Sequence, residues 1–240
     1  MMESFLHNDS LSYLEENYKR ITSDIAEAAV KSGRTPDDVT LMAVTKTISP
    51  LMINYMTSLG VKLIGENKVQ ELLGKLDFLN KDDISMHIIG HLQSNKVRKI
   101  IDTVTMIQSV DSMSLIDEIS RQAKMHNRQM EILLEVNIGE EEAKTGLPVH
   151  LLQECAFKAA ETEGIVLKGL MCVPPVCDEN EARKYFEKTR RLYEDTADSL
   201  KGKAELSVLS MGMSSDFIPA IYEGATLVRV GSALFGARQY

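Results

Sequence analysis

The sequence has 240 residues, of which 44% are hydrophobic and 26% charged, the composition of an ordinary globular protein. Its 35 acidic and 27 basic side chains give a net charge of −8. This balance argues against nucleic acids and anionic membranes as partners, because both select for an excess of Lys and Arg. No apolar run approaches the ~20 residues that span a bilayer, and residues 1–10 lack a signal-peptide pattern. The cysteines (Cys155, Cys172 and Cys177) form no CxxC pair and are typical of reduced thiols. We therefore expect a cytoplasmic protein.

A helical pattern opens the chain. Apolar side chains recur every three to four residues between residues 11 and 28, which predicts a helix with one apolar face before the first strand. Further on, Ser49 followed by Pro50 is typical of an N-cap and the first position of a helix, and Gly60 is expected to end that helix.

Eight short, β-rich apolar runs alternate with stretches of helical pattern. The runs are residues 41–45, 61–65, 86–90, 104–109, 131–137, 166–173, 206–209 and 226–230. Strands that alternate with helices indicate parallel βαβ units. No linker or low-complexity segment divides the chain, and no GxGxxG follows the first strand, as it often does in a doubly wound sheet. We predict one domain over residues 1–240, a single (β/α)8 TIM barrel with an additional N-terminal helix.

The first strand of this predicted barrel ends in a lysine. Active sites of such barrels lie in the loops after the strands. Lys46 directly follows a buried run, so we expect its side chain in the mouth of the barrel. Partial desolvation there disfavours the ammonium form and frees the amine to attack a carbonyl carbon. An isolated lysine past a strand is more often an ordinary surface residue, so this interpretation depends on the other strand ends.

The last two strands lead into segments rich in small and hydroxyl-bearing residues, 210–216 and 229–233. Backbone N–H groups at a helix start, together with serine hydroxyls, can hold a phosphate dianion. Phosphate sites recur after strands seven and eight of these barrels. The same residues are also typical of turns and caps. With Lys46 and Arg229 facing the same mouth, however, the combination favours a phosphorylated aldehyde as the ligand.

Two other strand ends offer polar side chains. Asn67 follows the second strand as a neutral hydrogen-bond partner. His87 and His91 both belong to the third run, and on a strand rising ~3.3 Å per residue they would lie about 13 Å apart. Because that distance is too long for one shared ion, no metal site is expected. We predict that His87 packs inside the strand and that His91 borders the mouth.

Together these segments resemble the pyridoxal phosphate homeostasis protein family, whose relatives include alanine racemase. The resemblance extends over essentially the whole chain, and residues 87–96 are its most specific part. The matching segments are residues 43–47, 65–67, 69–71, 87–96, 109–112, 144–146, 169–171, 209–214 and 229–236. The resemblance implies a barrel that binds pyridoxal 5′-phosphate (PLP) and contributes to intracellular vitamin B6 homeostasis.

The resemblance also implies roles for individual residues. Lys46 is similar to the lysine that forms a Schiff base with PLP, and Arg229 to the partner of the pyridine nitrogen. Since an arginine does not give up its proton, a pyridine nitrogen bonded to it stays unprotonated and the ring is a weaker electron sink. Asn67 and His91 are expected to line the same mouth. The implied phosphate cradle consists of Ser210, Met213, Ser214, Gly231 and Ser232.

Three functions compete for this lysine. A PLP carrier would hold the cofactor without a catalytic cycle, with PLP and apo-forms of PLP enzymes as partners, as a monomer or weak homodimer. A racemase needs an acid–base group on each face of the bound substrate. Its relatives supply the second group from a separate C-terminal domain, whereas few residues follow Val230, so weak activity is the most we expect. An aldolase acting on a sugar phosphate is disfavoured, because Lys46 lies on the first strand between Thr45 and Thr47 and not beside acidic residues.

Overall fold

The computed structural model describes residues 11–141 and 144–236. Eight parallel strands follow one another in chain order and close into a barrel, because the last pairs with the first and places Arg229 opposite Met42. The strands are Thr40–Val44 (β1), Leu63–Glu66 (β2), Ser85–Ile88 (β3), Met106–Val110 (β4), Met130–Val136 (β5), Ile165–Cys172 (β6), Val208–Ser210 (β7) and Leu227–Val230 (β8). Each predicted run lies within about two residues of an observed strand, so the predicted barrel is confirmed.

Helices cover the outside of the barrel. They are Ser12–Lys31 (α1), Pro50–Ser58 (α2), Val69–Lys75 (α3), Met113–Met125 (α4), Leu152–Glu161 (α5), Glu179–Ser199 (α6), Phe217–Tyr222 (α7) and Ser232–Phe235 (α8). Short 3-10 turns span Pro36–Asp38, Leu76–Phe78, Ser94–Lys99 and Val149–Leu151. Ser49 caps α2 as predicted, since its side chain accepts the Met52 N–H. Within the described ranges, no helix is long and apolar enough to cross a membrane.

The N-terminal helix α1 packs on the outside of the barrel, against its last two helices, α7 and α8. Leu14, Ile21 and Ile25 are buried, which confirms the apolar face predicted from the sequence. On the same helix, Asn17 Nδ2 donates to the Leu234 carbonyl at 3.0 Å. Helix α1 therefore holds the C-terminal end of α8, the short helix that directly follows β8.

Side chains fill the barrel interior in two layers of different polarity. The apolar layer consists of Met42, Leu63, Leu227, Met106, Leu133 and Met171. Arg229 and Gln108 each lie two residues further along a strand than a member of this layer, and are therefore closer to the C-terminal mouth. With His87 and Ser210 they form the polar layer, and all four side chains are buried. The close fit also explains one glycine, because a Cβ at Gly65 would lie 2.4 Å from Met42 Sδ.

Candidate functional site

A cleft of about 380 Å³ opens at the C-terminal ends of the strands, a size typical of small-molecule sites. It is lined by Val44, Lys46, Asn67, Ile89, Val173, Met213, Ser214, Ser215, Arg229, Gly231 and Ser232. The structure thus brings together most of the residues proposed from sequence. Those that line the cleft are Lys46, Asn67, Met213, Ser214, Arg229, Gly231 and Ser232.

The position of Lys46 follows from the end of β1. Thr45 is fully buried, whereas Lys46 is half-buried. The Ile48 N–H donates to the Thr45 carbonyl at 3.0 Å, which closes a tight turn around the lysine. The chain therefore leaves the barrel wall at Lys46 and directs this residue to the cleft, as the sequence predicted.

Arg229 lies on the barrel side of the cleft and is only 3% exposed. Its Nη1 donates to Ser210 Oγ at 2.6 Å, and its Nη2 donates to the Cys172 carbonyl at 2.8 Å. Burial lowers the pKa of Arg229. A guanidinium nevertheless stays charged in proteins, and its five N–H donors leave some available to the cleft after these two bonds.

The hydrogen bonds of Arg229 continue across the barrel interior. Ser210 Oγ donates to Gln108 Oε1 at 2.7 Å, and Gln108 Nε2 lies 2.9 Å from His87 Nδ1. Because a guanidinium only donates, every bond in this chain has a fixed direction. The Gln108 amide must then donate to His87, whose Nδ1 carries no proton. Burial lowers the pKa of His87 to about 4, which agrees with a neutral ring.

The hydroxyl of Ser214 joins the two segments after β7 and β8. Ser214 Oγ accepts the Gly231 N–H at 3.1 Å and the Ala233 N–H at 3.2 Å. Ser215 and Ser232 line the cleft beside it. Three serines therefore lie where the segments after β7 and β8 meet at the cleft, and Ser214 holds the start of α8 through two backbone N–H groups.

Two of the proposed contacts lie outside the cleft. Ser210 is fully buried and its hydroxyl already bridges Arg229 and Gln108, so it supports the arginine and does not line the cleft. The side chain of His91 is 55% exposed, and its Nδ1 lies 3.0 Å from Asp111 Oδ2. Strand β3 ends at Ile88, so the alternation of the strand no longer directs His91 inward. The prediction that His87 packs inside is confirmed.

Some polar groups of the site were missed by sequence reasoning. Gln108 and Glu135 are buried within strands whose other residues are mostly apolar, and such polar interruptions were the available signal. Thr145 Oγ1 donates to Glu135 Oε1 at 3.0 Å, and burial raises the pKa of this carboxyl. Asn67 Oδ1 is buried at the cleft and has no hydrogen-bond partner in the described part of the chain.

Known proteins share this barrel and much of the sequence. The family model "Alanine racemase, N-terminal domain" matches residues 11–239. The pyridoxal phosphate homeostasis protein of Aquifex aeolicus is 39% identical over 94% of this chain and 98% of its own. The structure of PipY from Synechococcus elongatus with PLP bound has a TM-score of 0.78 and 32% identity, covering 88% of this chain and 100% of that one. An unknown protein from Bifidobacterium adolescentis reaches a TM-score of 0.85 at 35% identity, over 94% and 95% of the two chains.

Fold and site together define a class: closed parallel β/α barrels with a lysine and an arginine at the C-terminal mouth. The similarities then fix the family within that class. The chain belongs to the alanine racemase N-terminal domain family, and within it to the pyridoxal phosphate homeostasis proteins.

Proposed function

We propose that this chain binds PLP in the cleft through a Schiff base on Lys46 and contributes to vitamin B6 homeostasis. One observation carries the proposal. An amine, a guanidinium and a cluster of hydroxyl and N–H donors line one cleft, within an interior otherwise closed by packed side chains. The PLP-bound structure of PipY and the name of the Aquifex relative support the same ligand.

The residues of the cleft fit PLP group by group. Lys46 supplies an amine for the aldehyde, and Arg229 retains N–H donors for the pyridine nitrogen. Ser214 Oγ accepts the Gly231 N–H, so Ser214 would offer its own O–H to the phosphate, beside Ser215 and Ser232. Asn67 Oδ1, a buried acceptor without a partner among the described residues, would take a hydrogen bond from the ring hydroxyl. The flat ring would lie between the apolar walls formed by Val44, Ile89, Val173 and Met213.

Bound PLP supplies a reactive aldehyde that attaches reversibly to amines. The protein's own contribution would be to hold it: Lys46 Nζ would bond to the aldehyde carbon with release of the aldehyde oxygen as water, and the apolar residues of the cleft would contact the ring. Arg229 would keep the pyridine nitrogen unprotonated, because its guanidinium does not release a proton. Storage and hand-over fit this arrangement better than chemistry that draws electrons into the ring.

Racemisation requires more proton-transfer groups than the described residues of the cleft supply. Racemisation needs an acid–base group on each face of the substrate. Among the described residues that line the cleft, Lys46 supplies the one amine, Arg229 keeps its proton, and no carboxylate, histidine, tyrosine or cysteine is present. We therefore propose a carrier of PLP, with apo-forms of PLP enzymes as recipients. Weak racemase activity is the second candidate, favoured by membership of the alanine racemase N-terminal domain family.

Covalent trapping tests the binding proposal. Protein incubated with PLP should turn yellow, and borohydride should reduce the imine to a stable secondary amine on the peptide that contains Lys46. Lys46→Ala should remain unlabelled, whereas Lys68→Ala, which removes an exposed lysine close to the mouth, should behave as wild type. A colourless wild-type protein that takes up no added PLP would contradict the proposal.

The carrier role is tested by transfer. PLP-loaded protein is mixed with an apo-enzyme, and the recovered activity of that enzyme is followed over time. Direct hand-over predicts a rate that rises with the concentration of loaded protein beyond what free release explains. A rate equal to that of PLP dissociating into solution would limit the role to storage.

A further inference from the structure

A buried group of charges lies directly behind the turn that carries Lys46. Lys75 Nζ donates to Glu66 Oε1 at 2.7 Å and to Glu71 Oε1 at 2.6 Å. We call Glu66, Glu71 and Lys75 the Lys75 cluster. The Lys75 side chain is only 11% exposed, and none of the three residues lines the cleft. Any influence of the cluster on PLP must therefore act through other residues.

The Lys75 cluster holds the backbone on both sides of Lys46. Before the lysine, Lys75 Nζ donates to the Thr45 carbonyl at 2.8 Å. After it, the Thr47 N–H donates to Glu71 Oε1 at 2.5 Å. Thr45 Oγ1 also donates to Glu66 Oε1, at 2.8 Å. The cluster thus ties the end of β1 to the end of β2 and to helix α3, and it contacts both neighbours of Lys46.

The backbone at this turn is strained. Thr47 has a φ of 65°, in the left-handed region that β-branched residues rarely adopt. Such a conformation persists only when surrounding contacts hold it, and it is often found at functional sites. Thr47 makes two hydrogen bonds here: its N–H donates to Glu71, within the Lys75 cluster, and its hydroxyl donates to the Lys46 carbonyl at 2.6 Å. The bond to Glu71 is the one that ties this turn to another element.

The charges of the Lys75 cluster serve to hold the conformation of the turn more than to stabilise the folded protein. Burial raises the pKa of Glu66, and its second oxygen has no hydrogen-bond partner in the described ranges. For Glu71, burial acts in the same direction, but the bonds from Lys75 and the Thr47 N–H lower its pKa overall. Replacing buried ion pairs with apolar residues is often neutral or stabilising, so their presence points to a role in conformation.

We propose that Glu66, Glu71 and Lys75 are positioning residues that hold the strained Thr45–Thr47 turn and thereby set the position of Lys46 Nζ for attachment to an aldehyde. The inference rests on the proposed function of Lys46. It adds a second lysine to the PLP site, one that never contacts the cofactor.

The decisive comparison is between Glu71→Ala and Glu71→Gln. Glutamine retains an acceptor for the Thr47 N–H, whereas alanine removes it. The matched control is Glu118→Ala, because Glu118 also bridges a cation on its own helix and has a similar exposure, 21% against 24%. Lys75→Met provides a second variant, and its folding is monitored separately because it leaves Glu66 buried without its partner.

Two measurements are made on each variant. The first is the rate at which added PLP attaches, followed by stopped-flow absorbance. The second uses cofactor-free protein and compares the labelling rate of Lys46 by an amine-directed reagent with that of Lys201, an exposed lysine that forms no ion pair with the cluster, by mass spectrometry. Glu71→Ala should slow PLP attachment about tenfold, the size of effect expected from a small misplacement of a reacting group. It should also change the relative labelling of Lys46 several-fold, while Glu71→Gln and Glu118→Ala stay close to wild type.

Either of two results would overturn the inference. If Glu71→Ala matches Glu118→Ala in both measurements, or if Glu71→Gln loses as much as Glu71→Ala, the cluster does not position Lys46. Failure of the proposed function would look different. Wild-type protein would then take up no PLP, while the labelling comparison in cofactor-free protein would still decide whether the cluster sets the reactivity of Lys46.

Discussion

At the scale of single residues, the orientation of Arg229 depends on three side chains that never reach the cleft. The chain of hydrogen bonds from Arg229 through Ser210 and Gln108 ends at His87, which must be neutral to accept the last bond. Protonation of His87 would place two donors face to face at that bond. The neutral state of one buried histidine is therefore linked to the geometry of the site.

This linkage predicts a pH dependence of stability. Burial lowers the pKa of His87 from 6.5 to about 4. Between these values an unfolded chain takes up a proton at His87 that the folded protein does not, so the free energy of unfolding falls as the pH falls. The decrease attributable to His87 is up to about 3 kcal/mol between pH 6.5 and 4, and above that window His87 has no effect.

Chemical denaturation of wild type and His87→Asn at a series of pH values measures this contribution. Asparagine can place an acceptor near the position of Nδ1 but does not titrate, so its unfolding free energy should depend less on pH. The difference between the two proteins isolates His87, because Glu66 and Glu135, whose pKa values burial raises, act in the opposite direction in both. His150→Asn, at an exposed position, is the control. Parallel curves for wild type and His87→Asn would contradict the prediction.

The roles of Ser210 and Ser214 can be distinguished by comparing PLP with pyridoxal, which lacks the phosphate group. Ser214 lies with the backbone donors of the cradle, whereas Ser210 lies beneath Arg229. Ser214→Ala should weaken binding of PLP but leave binding of pyridoxal, which lacks the phosphate, nearly unchanged. Ser210→Ala leaves an unpaired buried donor and should weaken both by a similar factor, with a loss of stability of about 1–3 kcal/mol. Equilibrium titration with each ligand measures these affinities. If both variants lost the same affinity for PLP and none for pyridoxal, Ser210 would belong to the phosphate cradle.

At the scale of elements, α1 is connected through α8 to the segment that we propose holds the phosphate of PLP. Asn17 donates to the Leu234 carbonyl, and Tyr13 Oη donates to the Phe235 carbonyl at 3.3 Å. These bonds satisfy carbonyl groups at the end of α8, whose four residues are too few to satisfy them internally. The position of the Gly231 and Ala233 N–H groups therefore depends on a helix from the other end of the chain.

The consequence is tested with Asn17→Ala. Loss of one such hydrogen bond costs about 1 kcal/mol, so PLP should dissociate up to about fivefold faster if the bond holds the cradle in place. The measurement is the rate of PLP release into a trapping solution. Glu16→Ala, at an exposed position of the same helix, should release PLP at the wild-type rate. Equal rates for Asn17→Ala and wild type would show that α8 keeps its position without α1.

The elements themselves were predictable from sequence, and the finer positions in the site were not. Eight apolar runs of strand length and a cap such as Ser49-Pro50 are local signals, so the barrel followed from them directly. Ser210 is different, because a serine at a strand end looks the same whether it faces the cleft or the interior. Only the register of β7 beside β8 decides between these positions. His91 does not line the cleft for a related reason, since the strand that was expected to direct it ends at Ile88.

At the scale of the whole molecule, one barrel supports both storage and catalysis, and the groups at its mouth decide between them. The interior layer beneath the cleft is polar, and a chain of hydrogen bonds links Arg229 through Ser210 and Gln108 to His87. Those bonds fix the arginine but provide no group that moves a proton in the cleft. In the part of the chain described by the structure, Lys46 is the one amine that lines the cleft.

A single proton-transfer group predicts a specific kinetic outcome. With PLP bound, the protein should exchange the α-proton of an amino acid slowly and return it mainly to the face from which it came, because Lys46 is the one amine or acid among the described residues that line the cleft. Incubation of L-alanine with the loaded protein in deuterated water should incorporate more deuterium into L-alanine than into D-alanine, and Lys46→Ala should abolish both. Mass spectrometry after chiral separation provides the measurement, and a heat-denatured sample with the same amount of PLP controls for the free cofactor. Equal deuterium in the two enantiomers, at a rate comparable to that of a dedicated racemase, would require a second acid–base group at the cleft. The protein would then be a racemase and not a carrier of PLP.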